Sequence, residues 1–132
     1  KVVEIVCCGM SPMQVEIYTH LLASKATTDA LTGKQSKVLQ AITAMRKLCN
    51  HPKLIYDMLN GHGSASAVEA FGSCSAFFPP GVFDDGRPGR GPCALGWELL
   101  GGKFALLARM LDKLYKETDD RIVIVSNYTQ TL

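Results

Sequence analysis

The chain has 132 residues, 47% hydrophobic and 20% charged, a balance that fits one globular domain and excludes wholesale disorder. A net charge of +2 does not announce a nucleic-acid binder, and no apolar run approaches the about 20 residues of a bilayer span, so no membrane partner is expected. Five cysteines are an odd count and too sparse for a disulfide scaffold, which points to a reducing compartment.

Val2-Val3-Glu4-Ile5-Val6-Cys7-Cys8 is β-branched and nearly all apolar, the pattern of a strand buried on both faces. Ser11-Pro12-Met13-Gln14 then starts a helix: Ser11 caps it, Pro12 suits its first position, and Gln14 completes a capping box. Met13, Ile17, Tyr18, Leu21 and Leu22 recur at helical spacing and give it one apolar stripe. Residues 29–36, polar and broken by Gly33, end the pattern. A second helix is predicted from Lys37 to Cys49, with Val38, Leu39, Ile42, Met45, Leu48 and Cys49 buried and Lys37, Gln40, Arg46 and Lys47 outward. It stops at His51-Pro52, because the residue before a proline resists helical geometry, and His51 is read as bonding the last carbonyls. A short helix over 54–59 is stopped by Asn60-Gly61.

Residues 60–98 hold eight of the twelve glycines and four of the six prolines, too long a stretch for a structureless loop inside a compact domain. They read as a linker or mobile insertion, with Phe71, Phe77, Phe78, Phe83 and Trp97 docking parts of it on a surface. Gly101-Gly102 reads as a flexible hinge ahead of a helix carrying Phe104, Leu107, Met110, Leu111 and Leu114. Thr118 to Arg121 turns the chain into Ile122-Val123-Ile124-Val125, a short buried strand with Ser126-Asn127-Tyr128-Thr129 at its carboxyl end. Helix, turn, apolar strand and polar loop make an α/β unit with a parallel sheet, whose ligands lie at such loops. Apolar runs so close to both ends lead to the expectation of a piece cut from a larger protein.

Charge is unevenly spread. Residues 25–53 carry Lys25, Lys34, Lys37, Arg46, Lys47 and Lys53 against Asp29 alone, net +5, while 54–98 carry Arg87 and Arg90 against Asp57, Glu69, Asp84, Asp85 and Glu98, net −3. Lys34, Lys37, Arg46 and Lys47 therefore form a candidate set for a phosphate backbone. The loop Ser126 to Gln130 offers hydroxyls, amides and an aromatic, all usable on sugar and phosphate. The spacings of Cys7, Cys8, Cys49, His51, Cys74 and Cys93 match none of the usual zinc hooks, so no metal site is predicted. Cys49 and His51 do not make a nucleophile and base, and no catalytic residue is assigned. Leu99-Leu100-Gly101-Gly102-Lys103 lacks the first glycine and the Ser/Thr of a phosphate loop.

Arg46-Lys47-Leu48-Cys49-Asn50-His51-Pro52, followed by Leu54-Ile55-Tyr56-Asp57, resembles the signature between the two motor lobes of Swi/Snf-family DNA-dependent ATPases. Ser11-Pro12-Met13-Gln14 with Tyr18 is similar to that family's "T-P-x-Q…Y" element, and Arg121 to Leu132 resembles its motif IV. The wording Ser126-Asn127-Tyr128-Thr129-Gln130-Thr131-Leu132, with Phe77-Phe78-Pro79-Pro80, is similar to the recombination branch, the Rad-fifty-four-type translocases. Gly101-Gly102-Lys103 departs from the family's Ser-Gly-Lys, and residues 60–98 have no close family pattern.

The resemblance implies an ATP-driven motor with two RecA-like lobes that translocates on double-stranded DNA in the nucleus and works with a strand-exchange recombinase in double-strand-break repair. The fold class it implies is α/β, a fragment of that motor made mainly of helical protrusions plus edge pieces of two parallel sheets. Residues 1–10 would be the last strand of the first lobe, 11–59 a helical protrusion, 60–98 an insertion or linker, and 99–132 the start of the second lobe. Following motif IV, Ser126, Asn127, Tyr128, Thr129 and Gln130 lead the candidates for DNA contact, with Lys34, Lys37, Arg46 and Lys47 behind them. ATP and Mg²⁺ belong to the parent, with no cofactor in this segment, because the phosphate loop, acidic motif and arginine fingers that such motors need are not among these residues. The alternative is a small helical protein-interaction module with a basic face, an aromatic insert and no catalysis. The 132-residue chain alone is expected to show no DNA-stimulated ATP turnover in a phosphate-release assay; clear turnover would refute the motor-fragment reading.

Overall fold

The capping box that opens the first helix also fastens the rest of the chain. A computed structural model describes residues 2–25, 27–28, 35–83 and 96–128, with backbone alone at 35–37. Its described α-helices include α1 (Pro12–Ala23), α2 (Gln35–Asn50), α3 (Lys53–Asp57), α4 (Ala65–Phe71) and α5 (Gly102–Glu117). In α1, Ser11 Oγ accepts the Gln14 N–H at 3.2 Å, and the Ser11 N–H donates to Gln14 Oε1 at 2.9 Å. Gln14, Ile17 and Leu21 lie buried one helical turn apart.

The buried face of α2 differs from the expected one. Ala41, Ala44 and Leu48 are buried, whereas Leu39 is 68% exposed and Ile42 is exposed as well. Small side chains let α2 approach α1 closely enough for Gln14 Nε2 to reach the Leu48 carbonyl at 2.6 Å. A ridge of Leu39 and Ile42 would hold the axes further apart. The helix ends at Asn50, ahead of His51-Pro52 as expected. His51 does not bond the last carbonyls; its ring leaves the helix and is wholly buried. A turn of wider helical winding, Met58–His62, follows α3 and unwinds at Asn60 and Gly61, where φ reaches +116°.

Residues 64–83 are not a structureless insertion. Ser64 caps α4 by accepting the Ala67 N–H, and a 3-10 segment, Gly72–Phe77, continues it. Phe71, Cys74, Phe78 and Phe83 are buried in the same core as Ile17, Leu21, Ala41, Ala44, Leu48, Ile55 and Met58. His20 meets Ser73 Oγ at 2.8 Å and packs on the Phe77 ring, which ties this stretch to α1. Composition favoured a linker here, but four spaced apolar residues supply enough burial to order the backbone.

Among the described residues the chain is helical and no strand is paired, so neither expected strand is formed within them. Ile5 is 91% and Val125 89% exposed, and their neighbours are largely exposed too. A β-branched run becomes a strand only when a neighbour completes its ladder, and none of the described residues does so.

The expected hinge at Gly101-Gly102 is a tight junction. Ser11 Oγ donates to the Leu100 carbonyl at 2.5 Å, and the Gly102 N–H donates to Gln14 Oε1 at 3.0 Å. A Cβ on Gly101 would lie 2.5 Å from His51 Cδ2, and one on Gly102 1.8 Å from the Gly9 carbonyl oxygen. Gly101→Ala is therefore expected to destabilise the chain by about 1–3 kcal/mol in urea denaturation. Gly72→Ala, at a helical φ of −57° with nothing near the added Cβ, should be neutral or stabilise by about 0.4–1 kcal/mol.

Candidate nucleic-acid interface

Three segments far apart in sequence line one open cleft of about 420 Å³. The last two turns of α2 supply Arg46, Cys49 and Asn50, which share a face at i, i+3 and i+4. The first turn of α5 supplies Lys103, and the segment after the exposed apolar run supplies Val125, Ser126, Asn127 and Tyr128. Ser126 shapes its own turn: Oγ accepts the Tyr128 N–H at 3.0 Å and donates to the Tyr128 carbonyl at 3.3 Å. Arg46 and Lys103 are exposed and have no ion-pair partner among the described residues, and no carboxylate lines the cleft. Two cations, two amides, a hydroxyl and an aromatic ring suit a sugar–phosphate backbone.

The cleft unites Ser126, Asn127 and Tyr128 with Arg46, four residues singled out from sequence on separate grounds. Lys47 is elsewhere: it borders a second groove of about 290 Å³ between α2 and α4, with Leu39, Thr43, Met58, His62 and Phe71. Consecutive helical residues point about 100° apart, so Arg46 and Lys47 serve different faces. Lys37 lies on α2 by its backbone, while Lys34, Thr129 and Gln130 fall outside the described residues. Sequence reasoning missed Lys103 and Asn50. A lysine straight after Gly-Gly at a helix start was the available signal for the first; nothing local marked the second.

The Gly101-Gly102-Lys103 segment does not fit an ATP phosphate. The Gly102 N–H is committed to Gln14, and Gly101 lies against the His51 ring. An anion would have to displace both.

His51 holds the cleft's two helices together from below. Its Nδ1 accepts the Lys53 N–H at 3.1 Å, so Nε2 carries the proton and donates to the Trp97 carbonyl at 3.0 Å. Trp97 and Phe104 meet the ring edge-on, at centroid distances of 4.8 Å and 5.1 Å. Burial lowers its pKa from 6.5 to about 4; the nearby Lys53 ammonium adds to this, and the Trp97 carbonyl and Asp57 oppose it.

No protein-family model matches the chain, and no solved structure does. Curated proteins do, over its whole length. The DNA repair and recombination protein RAD54 of Oryza sativa subsp. japonica is 49% identical, the DNA repair protein rhp54 of Schizosaccharomyces pombe 39%, and the DNA repair and recombination protein RAD54-like of Homo sapiens 35%. Along its whole length the chain is therefore similar to a segment of RAD54-type DNA repair and recombination proteins. It spans 14–16% of the length of these relatives.

The neutral imidazole makes stability depend on pH. Unfolded His51 binds a proton below pH 6.5 and folded His51 only below about 4, so stability is complete above 6.5 and is lost as pH falls from 6.5 to 4. The loss amounts to about 3 kcal/mol. Urea denaturation at stepped pH should show it, and His51→Gln should abolish that share of the slope.

Proposed function

We propose that the chain is the central segment of an ATP-dependent double-stranded-DNA translocase acting in homologous recombination and double-strand-break repair. The observation that carries this is the match of the whole chain, at 35–49% identity, to proteins named for DNA repair or for DNA repair and recombination. The cleft of Arg46, Lys103 and the 126–128 turn supports a DNA contact, having cations, hydrogen-bonding groups and, among the described residues, no carboxylate.

In this reading residues 1–10 are the last strand of a first RecA-like lobe, 11–59 a helical protrusion, 60–98 an insertion, and 99–132 the start of a second lobe. The exposure of both apolar runs supports it, since a strand from the middle of a sheet presents such a surface when its neighbours are not alongside. The partners are double-stranded DNA and a strand-exchange recombinase, the site of action is the nucleus, and ATP and Mg²⁺ are held by residues outside this segment. The competing module with an aromatic binding surface loses support, because Phe71, Phe78 and Phe83 are buried.

The test is the salt dependence of duplex-DNA binding by the full-length protein. Replacing Arg46 and Lys103 together with Ala should flatten the slope of log affinity against log salt by about two. Lys47→Ala should leave it unchanged. An unchanged slope in the double variant would remove the cleft from the DNA interface.

A further inference from the structure

α5 is attached unusually. None of its residues is fully buried, so no broad apolar face determines where it lies. Its pose is set at its first turn and the 3-10 segment before it, Trp97–Leu100. There, beside the packing of Trp97 and Phe104 on the His51 ring, three bonds go to backbone: His51 takes the Trp97 carbonyl, Ser11 the Leu100 carbonyl, and Gln14 the Gly102 N–H. Gln14 also grips α2, through the Leu48 carbonyl, and His51 follows directly on the end of that helix. Leu48 lies between Arg46 and Asn50, and Gly102 is joined to Lys103. One carboxamide therefore bridges the two backbone sites from which the cleft's cations spring.

Gln14 is 1% exposed, its oxygen accepts from Ser11 and Gly102, and its nitrogen donates to Leu48. Withdrawing Leu48 would leave the buried amide nitrogen without its acceptor, and withdrawing Gly102 would leave the oxygen with the Ser11 N–H alone. We infer that Gln14 is a positioning residue for the cleft: its bonds to Leu48 and Gly102 hold Lys103 and Arg46 at a separation that lets both engage one phosphate backbone. This rests on the nucleic-acid reading of that cleft.

A positioning role predicts non-additivity, which simple loss of stability does not. In the full-length protein, Gln14→Ala should weaken duplex-DNA binding and flatten its salt slope by about one, as Lys103→Ala does, while circular dichroism at the same temperature reports unchanged helix content. Combining the two should weaken binding no further than Lys103→Ala alone. Gln14→Glu keeps the shape and both accepting bonds but loses the donor to Leu48, and should behave like Gln14→Ala. Additive losses, an unchanged slope in the Gln14 variants, or unfolding of both of them would overturn the inference. Unchanged binding by Lys103→Ala and by Arg46→Ala would instead overturn the DNA reading of the cleft.

Discussion

A buried carboxamide costs free energy unless each of its polar atoms finds a partner, and Gln14 finds them in three separate stretches of chain. Its oxygen closes the cap of α1 and takes the first N–H of α5; its nitrogen takes a carbonyl in the last turn of α2. Because each bond goes to backbone, the arrangement fixes where the helices lie and not merely which side chains touch. Among the described residues no buried side-chain nitrogen or oxygen lacks a partner, so the demand is met throughout. The cleft above takes its width from this group together with His51.

Close approach is the companion constraint. Ala41 and Ala44 bring α2 against α1, and Gly101 and Gly102 bring the start of α5 against His51 and Gly9. His51 then sits among rings: Phe83, Trp97 and Phe104 surround it, and Tyr56 and Phe78 extend the cluster through Phe83. Edge-to-face contacts of this kind contribute about 0.5–1.5 kcal/mol each beyond burial. Residues 71–83 are thus part of the frame that holds His51, and His51 is part of the frame that holds α5. The neutral imidazole is required there, since its Nδ1 accepts a backbone N–H that a protonated ring would repel.

Local rules were legible in the sequence and non-local ones were not. Ser11 and Gln14 are three residues apart, so their reciprocal cap could be read directly, as could the stop at His51-Pro52 and the turn at Asn60-Gly61. The buried face of α2 was misread because helical periodicity leaves a wide stripe, and the large residues Leu39 and Ile42 claimed it over the alanines that backbone approach required. Residues 64–83 were misread because they were grouped with the glycine- and proline-rich stretch 60–98 as a whole, whereas ordering came from four aromatic or sulfur side chains reaching a distant core. The strands over 2–8 and 122–125 were expected from composition, but pairing needs a partner that local chemistry cannot supply. In the cleft, Ser126, Asn127, Tyr128 and Arg46 were singled out, on two independent grounds that gave no reason to bring them together.

By itself the sequence carried the family resemblance, through three ordered motifs, and determined where the helices begin and stop, since caps and prolines act within about four residues. Only the tertiary structure decided that Arg46 and Lys103 share a cleft while Lys47, next in sequence, faces a different groove. The reason is geometric: a step of about 100° separates neighbouring helical residues. Which of them faces α5 depends on a hydrogen bond from Gln14, 34 residues before Leu48 and 88 before Gly102.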